Sequence, residues 1–357
     1  MTRRLRVGLI GYGYAGKTFH APLIAAVPSL QLAAVASSDA AKVHADWPDV
    51  AVHATPDALI ARDDLDLVVI ATPNDTHHPL ARAALLSGRH VVVDKPFTVA
   101  LADARELVAL AQRQGRLLSV FHNRRWDGDF MTLRQLVADG ALGRIVEMNS
   151  RFDRFRPEVR TRWRESAGPG AGIWFDLGPH LLDQALQLFG RPQAINLERD
   201  LTRDGALSDD WFHASLRYDR LHVHLHASML VSASAPRLAV HGTLASFVKD
   251  GLDAQEDALK AGARPTWPPQ ADWGVDPARA LRVTRAGDGT AIDEPVALQR
   301  GAHMAYFAAI AAAIRDGSPN PVPPQEALAV MELIELGIAS ATQRRELEWV
   351  VSAEQAR

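Results

Sequence analysis

Short apolar runs alternate with amphipathic stretches along the first third of the chain. Residues 78–88 and 98–115 repeat their apolar positions with helical spacing, and each stretch ends at a glycine. The apolar runs are short enough for strands that are buried on both faces. They comprise residues 5–10, 30–37, 50–54, 65–72, 89–96 and 116–123. Strands that alternate with helices predict a doubly wound parallel sheet, which we assign to a first domain of residues 1–122.

The pattern changes in the remaining residues, 123–357, which we assign to a second domain. Longer runs with apolar residues at every second position follow a helical stretch at 127–140, and this alternation predicts a large, mostly antiparallel open sheet. Two late helices are predicted near 302–316 and 325–343. The alternating runs are residues 143–155, 213–230 and 237–248. The second domain is therefore expected to be of the α+β class.

The composition and net charge of the chain exclude several classes of function. The 357 residues carry a net charge of −3 and contain no cysteine, which excludes disulfides, thiolate catalysis and cysteine-based zinc sites. No long basic block favours nucleic acid, and no apolar run reaches the length of a membrane span. The N-terminal apolar run is interrupted by glycines and is too short for a signal peptide. We expect a cytoplasmic protein that binds neither nucleic acid nor membranes.

A glycine motif follows the first predicted strand. The sequence GYGYAG at residues 11–16 has the form G-x-G-x-x-G, with a strand before it and a helix after it. Gly11 would form the tight turn, Gly13 would let the backbone approach a pyrophosphate, and Gly16 would allow close packing of helix on strand. This context predicts a Rossmann dinucleotide-binding domain. A glycine turn in an unrelated α/β protein is the alternative.

The end of the second strand bears on the choice of nucleotide. An acidic residue there would bind the ribose 2′-hydroxyl of NAD, whereas Ser37 and Ser38 occupy the decisive positions here and favour NADP. Asp39 argues for NAD, and Lys42 is the only nearby cation. The sequence therefore favours NADP without excluding NAD.

Polar residues follow two further predicted strands, at the edge where open α/β sheets bind ligands. Asn74 and His77 would line the nicotinamide side, although Asn74 could equally cap a helix. Lys95 follows the fifth strand, where a lysine beside a positive nicotinamide ring can polarise a substrate oxygen. An ordinary surface lysine is the alternative.

Residues in the second domain add a candidate acid–base pair. Asp176 and His180 are four positions apart, so on a helix they share one face, with Pro179 expected in or before its first turn. They form a candidate Asp-oriented histidine base, or else a buried histidine with a structural role. The stretch FHNRRWDGDF at 121–130 would bind a polyhydroxylated substrate or form a cluster of salt bridges between the two domains.

Three histidines alternate along one predicted strand in the sequence HVHLH at 222–226. Same-face neighbours on a strand lie about 6–7 Å apart, so the outer two cannot easily share one ion. We interpret them as a polar or interface face of the second sheet and predict no metal site.

Taken together, these motifs resemble the Gfo/Idh/MocA oxidoreductases over nearly the whole chain. The resemblance rests on GYGYAG, on TPNDTH at 72–77, on DKP at 94–96 in place of the commoner Glu-Lys-Pro, and on GAGIWFDLGPH at 170–180. Within that family, GKTFHAPL at 16–23 and the two segments FHNRRWDGDF and DLGPHLLDQALQLFG are most similar to the NADP-linked scyllo-inositol dehydrogenase branch.

The resemblance implies roles for individual residues. The catalytic set would be Lys95, Asp176 and His180. The cofactor would contact Gly11, Tyr12, Gly13, Tyr14, Ala15, Gly16, Ser37, Ser38, Thr72, Pro73, Asn74, His77, Asp94, Lys95, Pro96 and Asn123. The substrate would lie near His20, Arg125, Trp126, Asp127 and Trp174.

The expected activity is an NAD(P)-dependent dehydrogenase acting on a secondary alcohol of a cyclic polyol or sugar. Two alternatives remain open, a cofactor-assisted elimination or glycoside cleavage without net redox change, and a non-catalytic dinucleotide- or sugar-binding regulator. The resemblance also implies a homodimer or homotetramer formed through the C-terminal sheet.

Overall fold

The computed structural model describes residues 3–233 and 235–350, which fold as two compact units. The first unit contains the chain up to Asp127 together with Ala254–Val275 and Arg300–Ala329. The second contains Gly128–Asp253, Asp276–Gln299 and the chain from Val330. Among the described residues, no helix combines the length and the apolar character that a membrane crossing requires.

The first unit is built on a six-stranded parallel sheet with the order β3-β2-β1-β4-β5-β6. The order reverses direction beside β1, where a doubly wound sheet forms its ligand-binding edge. The predicted fold class of this domain is confirmed. The strands are β1 (Leu5–Ile10), β2 (Leu30–Ala36), β3 (Ala51–His53), β4 (Leu67–Ile70), β5 (His90–Asp94) and β6 (Leu118–Phe121).

Helices connect these strands, as expected for parallel neighbours. The helix after the glycine turn is wound as a π-helix over Gly16–His20 and becomes α1 at Ala21–Ala26. The later insertions add α8 (Gln255–Lys260) and α9 (Met304–Asp316). The other helices of this unit are α2 (Ala40–Asp46), α3 (Pro56–Ile60), α4 (His77–Leu86) and α5 (Leu101–Gln114).

The boundaries of the two compact units differ from the division of the chain after residue 122 that the sequence pattern suggested. Two segments from the C-terminal half of the chain pack onto the first unit, because their side chains complete its core. The Tyr306 hydroxyl donates a hydrogen bond to Ser119 Oγ at 2.9 Å, and both residues are buried. The Ser119 hydroxyl in turn donates to the Val322 carbonyl at 3.0 Å.

The second unit contains a nine-stranded sheet with the order β14-β13-β12-β11-β7-β10-β9-β8-β15. Only the β7–β10 pair is parallel among the pairings of the described strands, so the predicted, mostly antiparallel sheet is confirmed. The strands are β7 (Ile145–Arg151), β8 (Ala194–Asp200), β9 (Trp211–Tyr218), β10 (Leu221–Ser228), β11 (Leu238–Gly242), β12 (Ser246–Lys249), β13 (Ala280–Arg285), β14 (Ala291–Pro295) and β15 (Leu347–Glu348).

Helix α7 (Ile173–Phe189) packs against β9 and β10 of this sheet, and α6 (Gly128–Ala138) packs against α7. The last elements of the described chain are α10 (Pro324–Gln343) and β15. The apolar residues of α7 and of β7 to β10 share one hydrophobic core. Burial of these apolar faces supplies the main driving force for the packing of the layers.

Helix α7 begins earlier than the sequence predicted. It starts at Ile173, so Pro179 lies in the helix interior and not in its first turn. Asp209 stabilises the first turn of α7. Its backbone carbonyl accepts a hydrogen bond from the Ile173 N–H at 2.8 Å, and its side chain accepts one from the Trp174 N–H at 2.7 Å. A partner from a distant loop therefore satisfies the first amides of the helix.

Candidate active site

The glycine turn follows β1 and has the geometry that the motif requires. Gly11 has a φ of +95°, and a Cβ there would lie 2.5 Å from the Ala71 carbonyl oxygen. A Cβ on Gly16 would lie 2.0 Å from the Gly11 carbonyl oxygen, so neither position accepts a larger residue without movement. A Cβ on Gly13 would meet nothing within 4 Å. The turn is thus closed on the protein side and open at Gly13, which fits the close approach of a pyrophosphate.

Beside this turn lies a cavity of about 350 Å³ at the ends of β1 and β2. Asp39 is the N-cap of α2, and its Oδ1 accepts a hydrogen bond from the Lys42 N–H at 2.9 Å. Ser37 Oγ accepts from the Asp39 N–H at 3.2 Å and so holds the same bend. The Asp39 carboxylate therefore caps the N-terminus of α2. The cavity is lined by Gly11, Tyr12, Gly13, Ser37, Ser38, Asp39 and Lys42, among others.

The two tyrosines of the glycine turn differ in burial. The Tyr12 side chain is buried, and its hydroxyl donates to Asp46 Oδ2 at 2.8 Å. Lys17 Nζ lies 2.8 Å from the same oxygen. Burial, and then the hydrogen bond to Asp46, raise the pKa of Tyr12, which keeps the phenol neutral. Tyr14, in contrast, is largely exposed.

Lys95 follows β5, in a turn whose preceding carboxylate is buried. Asp94 Oδ1 accepts a hydrogen bond from the Lys95 N–H at 2.9 Å. The His20 Nε2 atom lies 3.6 Å from the same oxygen. Burial alone would raise the pKa of Asp94, but His20 and then Lys95 and His77 outweigh it and lower the pKa to about 2. The turn before Lys95 therefore contains a fixed negative charge.

His77 connects the ends of two strands. Its Nδ1 lies 2.8 Å from the Pro96 carbonyl oxygen after β5, and its Nε2 lies 3.0 Å from the Thr72 carbonyl oxygen after β4. Burial lowers the pKa of His77, although Asp94 and the two carbonyls act in the opposite direction. A neutral imidazole has one N–H and can donate to one of these carbonyls at a time. The His77 ring thus links the Lys95 turn to the segment that follows β4.

The capping alternative for Asn74 is not observed. Helix α4 begins at His77 with Thr76 in the capping position and no side-chain hydrogen bond at the cap. Asn74 starts a short 3₁₀ turn, Asn74–Thr76, and its side chain is buried.

Asp176 and His180 both lie on α7, four positions apart and therefore on one helix face. The Asp176 side chain is 18% exposed, and His180 is buried. Arg164 Nε lies 3.4 Å from Asp176 Oδ1, and Arg154 Nη1 lies 4.0 Å from Asp176 Oδ2. The carboxylate is therefore held between two guanidinium groups, a pairing that favours its ionised form.

The stretch after β6 is rich in buried ion pairs. Arg124 Nη1 lies 3.1 Å from Asp127 Oδ2, and His303 Nε2 lies 2.6 Å from Asp127 Oδ1. Arg125 Nη1 pairs with Glu326 at 2.6 Å. Burial would raise the pKa of Asp127, but Arg124 and His303 outweigh it and lower the pKa. Buried charges have to be paired, and each of these pairs joins residues of the first unit.

The aromatic and amide residues of the same stretch are also integrated into the first unit. Trp126 packs edge-on against Tyr306, with ring centroids 5.5 Å apart, and Asn123 is buried. The roles of Asn123, Arg125, Trp126 and Asp127 toward cofactor or substrate stay predictions.

The histidines of β10 form a group with a neighbouring strand. His213 on β9 stacks on His224 with ring centroids 5.6 Å apart, and its centroid lies 6.0 Å from that of His226. Burial and then Arg151 lower the pKa of His226 to about 4, so this ring is neutral at pH 7. The arrangement corresponds to the polar sheet face that the alternation predicted.

Family models match both parts of the chain. Residues 5–122 match the NAD-binding Rossmann fold of the oxidoreductase family, and residues 134–350 match its C-terminal alpha/beta domain. The chain belongs to the Gfo/Idh/MocA family of oxidoreductases. The resemblance that the motifs indicated is confirmed.

Individual relatives of this oxidoreductase cover nearly its full length. The uncharacterized oxidoreductase YdgJ of Escherichia coli K12 is 55% identical over 97% of this chain and 99% of its own. The NADP⁺-dependent scyllo-inositol 2-dehydrogenase of Bacillus subtilis 168 is 36% identical over 96% of this chain and 95% of its own. A solved structure from Yersinia pestis has a TM-score of 0.93 and 53% identity, and covers 99% of both chains.

Two residues predicted to contact substrate are enclosed in this oxidoreductase. His20 has no exposed surface and packs against Phe121 at a ring-centroid distance of 4.5 Å. Trp174 is also fully buried, and its Nε1 donates to the Ile334 carbonyl at 3.2 Å. Neither side chain is exposed in this structure, and the predicted substrate contacts of both residues stay predictions. His20 lies behind the Lys95 turn, and Trp174 belongs to the core beneath α7.

The sequence reasoning missed Arg154 and Arg164. Both lie in the irregular segment between β7 and α7, so no helical or strand periodicity relates them to Asp176. The only available signal was the density of arginines in the sequence RFRPEVRTRWR at 154–164.

Proposed function

We propose that this oxidoreductase transfers a hydride reversibly between NADP and a secondary alcohol of a cyclic polyol or sugar. Lys95, Asp176 and His180 would be its catalytic residues. The principal support is the common edge of the parallel sheet. The glycine turn after β1, the Thr72–His77 segment after β4 and Lys95 after β5 all follow the carboxyl ends of neighbouring strands.

Each protein group would have one role. His180 would take the proton of the substrate hydroxyl, and Asp176 would orient the imidazole and stabilise its charged form. Lys95 would donate a hydrogen bond to the oxygen as negative charge develops on it. The nicotinamide, when bound, supplies the hydride acceptor or donor, while the protein orients the substrate and moves the proton.

The preference for NADP rests on the end of β2. The Asp39 carboxylate lines the cavity but is engaged at the cap of α2. The Ser37 and Ser38 hydroxyls and Lys42 line the same cavity. Hydroxyl donors and a cation suit a 2′-phosphate. The Bacillus relative is an NADP⁺-dependent scyllo-inositol 2-dehydrogenase, which agrees with this choice.

The test is a substrate screen that follows the absorbance of reduced nicotinamide, with NADP and NAD against inositols, aldoses and sugar acids. On the best substrate, Lys95→Met and His180→Asn should each lower kcat by roughly 10²-fold or more. If both residues act in one step, the double variant should lose much less than the product of the two single losses. Lys260→Met, an exposed lysine on α8, is the control and should retain activity.

Other outcomes would replace the proposal. Wild-type turnover in either variant would remove that residue from the catalytic set. Product formed without net change in reduced nicotinamide would indicate elimination or glycoside cleavage. Tight dinucleotide binding without turnover on any substrate would indicate a regulator. Light scattering of the purified protein would test the predicted homodimer or homotetramer.

A further inference from the structure

The segment between β7 and α7 concentrates positive charge around Asp176. Two of its arginines, Arg154 and Arg164, contact opposite oxygens of that carboxylate. Because a single carboxylate carries one negative charge, this pairing leaves one positive charge in excess. The segment also contains Asp153, Glu158 and Glu165. Its arginines are Arg154, Arg156, Arg160, Arg162 and Arg164.

The acidic residues of the segment do not balance this charge. Glu165 is buried and already pairs with Arg162 at 2.6 Å and with Arg203 at 3.1 Å. Glu158 is exposed and forms no ion pair with the described part of the chain. Asp153 pairs with Arg151 at 2.7 Å. Among the described residues, none of these three carboxylates forms an ion pair with Arg156 or Arg160.

Two arginines of the segment, Arg156 and Arg160, take no part in these ion pairs. Within residues 3–233 and 235–350, neither Arg156 nor Arg160 makes a side-chain hydrogen bond or an ion pair. Burial, and then the positive charges of Arg154, Arg160 and Arg162, lower the pKa of Arg156, and Asp176 offsets this only in part. The Arg156 side chain is thus half-buried among like charges, an arrangement that an added negative charge would stabilise.

We propose that the substrate carries an anionic group and that Arg156 and Arg160 bind it beside Asp176. A carboxylate or a phosphate on a polyol or sugar would satisfy the planar donors of both guanidinium groups. Arg154 and Arg164 would keep the Asp176 carboxylate in place while the anion neutralises the surplus charge. This inference rests on the proposed function, because that function makes Asp176 part of the catalytic set.

The test compares matched neutral and acidic probes on the NADPH-bound enzyme by calorimetry. The probes are D-glucose and myo-inositol against D-gluconate, D-glucuronate and D-glucose 6-phosphate, so that carboxylate and phosphate are distinguished. We expect at least one acid to bind more tightly than the neutral probes and to lose affinity with added salt. Arg156→Gln together with Arg160→Gln should weaken that acid at least about tenfold and leave neutral probes within about twofold.

Two further variants distinguish the loss of a specific positive charge from a loss of folding. Arg134→Gln changes another exposed arginine of the second unit that makes no side-chain hydrogen bond or ion pair in the described residues, and it should have no effect. Arg156→Lys retains the positive charge but lacks the planar guanidinium group, and it should keep part of the affinity for the acidic probe. This single variant tests the site if the double variant folds poorly. Equal affinity for acidic and neutral probes, or acid affinity unchanged in the double variant, would overturn the inference. A loss of NADPH affinity in place of acid affinity would also overturn it.

The two proposals fail in different ways. If acids bind through Arg156 and Arg160 but no probe is turned over, the proposed function fails and the anion site stands. If a neutral polyol is oxidised in a Lys95-dependent manner and no acidic probe binds more tightly than the neutral probes, the proposed function stands and the anion site fails.

Discussion

His20 Nε2 lies 3.6 Å from Asp94 Oδ1, one residue before Lys95. His20 is fully enclosed, and Asp94 is buried apart from 11% of its side chain. The His20 ring is confined by Phe121 and Phe307 at centroid distances of 4.5 and 6.0 Å. The aromatic side chains therefore hold the imidazole beside the carboxylate that precedes Lys95.

This pair predicts a specific acid sensitivity. The pKa of Asp94 is about 2, compared with 3.8 ordinarily, so its ionised form favours the folded state. The contribution is complete above about pH 4 and is lost as the pH falls through 2, and it amounts to about 2 kcal/mol. Denaturant unfolding of the wild type should therefore show a steeper loss of stability between pH 4 and pH 2 than unfolding of His20→Leu. Asp94→Asn should flatten the profile in the same way, and identical slopes in all three proteins would contradict the coupling.

The glycine turn predicts that two alanine substitutions will behave differently. Gly13→Ala places its methyl group in open space, so the protein should melt like the wild type but bind NADPH at least about tenfold more weakly. Gly16→Ala places its methyl group 2.0 Å from the Gly11 carbonyl oxygen, and the displaced turn should cost about 1–3 kcal/mol as well as affinity. Thermal melting and NADPH fluorescence titration measure the two effects. Unchanged NADPH binding in Gly13→Ala would mean that the pyrophosphate lies elsewhere.

The end of β2 predicts which residue selects the nucleotide. Lys42→Ala should lower affinity for NADP about tenfold and leave NAD nearly unaffected, because only NADP carries the 2′-phosphate. Asp39→Asn should retain the cap of α2 and change the NADP to NAD ratio little, since asparagine also caps helices well. Dissociation constants for both nucleotides test this pair. A large gain in NADP affinity in Asp39→Asn would show that Asp39 faces the phosphate.

Trp174 is expected to determine stability before it affects binding. Its ring lies 5.0 Å from that of Phe212, and a Cβ on Gly178 or Gly337 would come within 2.9 or 2.8 Å of it. Trp174→Ala should therefore lower the free energy of unfolding by about 3–5 kcal/mol. Trp174→Phe should restore part of this loss. An alanine variant that unfolds like the wild type but has a raised KM would contradict this expectation and support the predicted substrate contact of Trp174.

The parallel sheet illustrates what the sequence predicts well. Strand β1 lies at Leu5–Ile10, where the apolar run placed it, and the glycine turn follows directly. The run at 213–230 was less informative, because it divides into β9 and β10 at a turn where Arg220 has a φ of +55°. Periodicity gives the face of a strand correctly even where it misses the turn between two strands.

His20, Trp174 and Arg164 show where tertiary structure decides. Each belongs to a chemically suggestive stretch, but local spacing does not reveal its partner. The partners of His20 and Trp174, Asp94 and the Ile334 carbonyl, lie far along the chain. Arg164, which pairs with Asp176 on α7, itself lies in an irregular segment. By itself, the sequence determined the strand and helix pattern, the glycine turn and the family, because apolar spacing and the steric demands of glycine are local. Only the folded chain decided which polar groups are enclosed and which charges meet, because burial and pairing depend on segments that packing alone brings together.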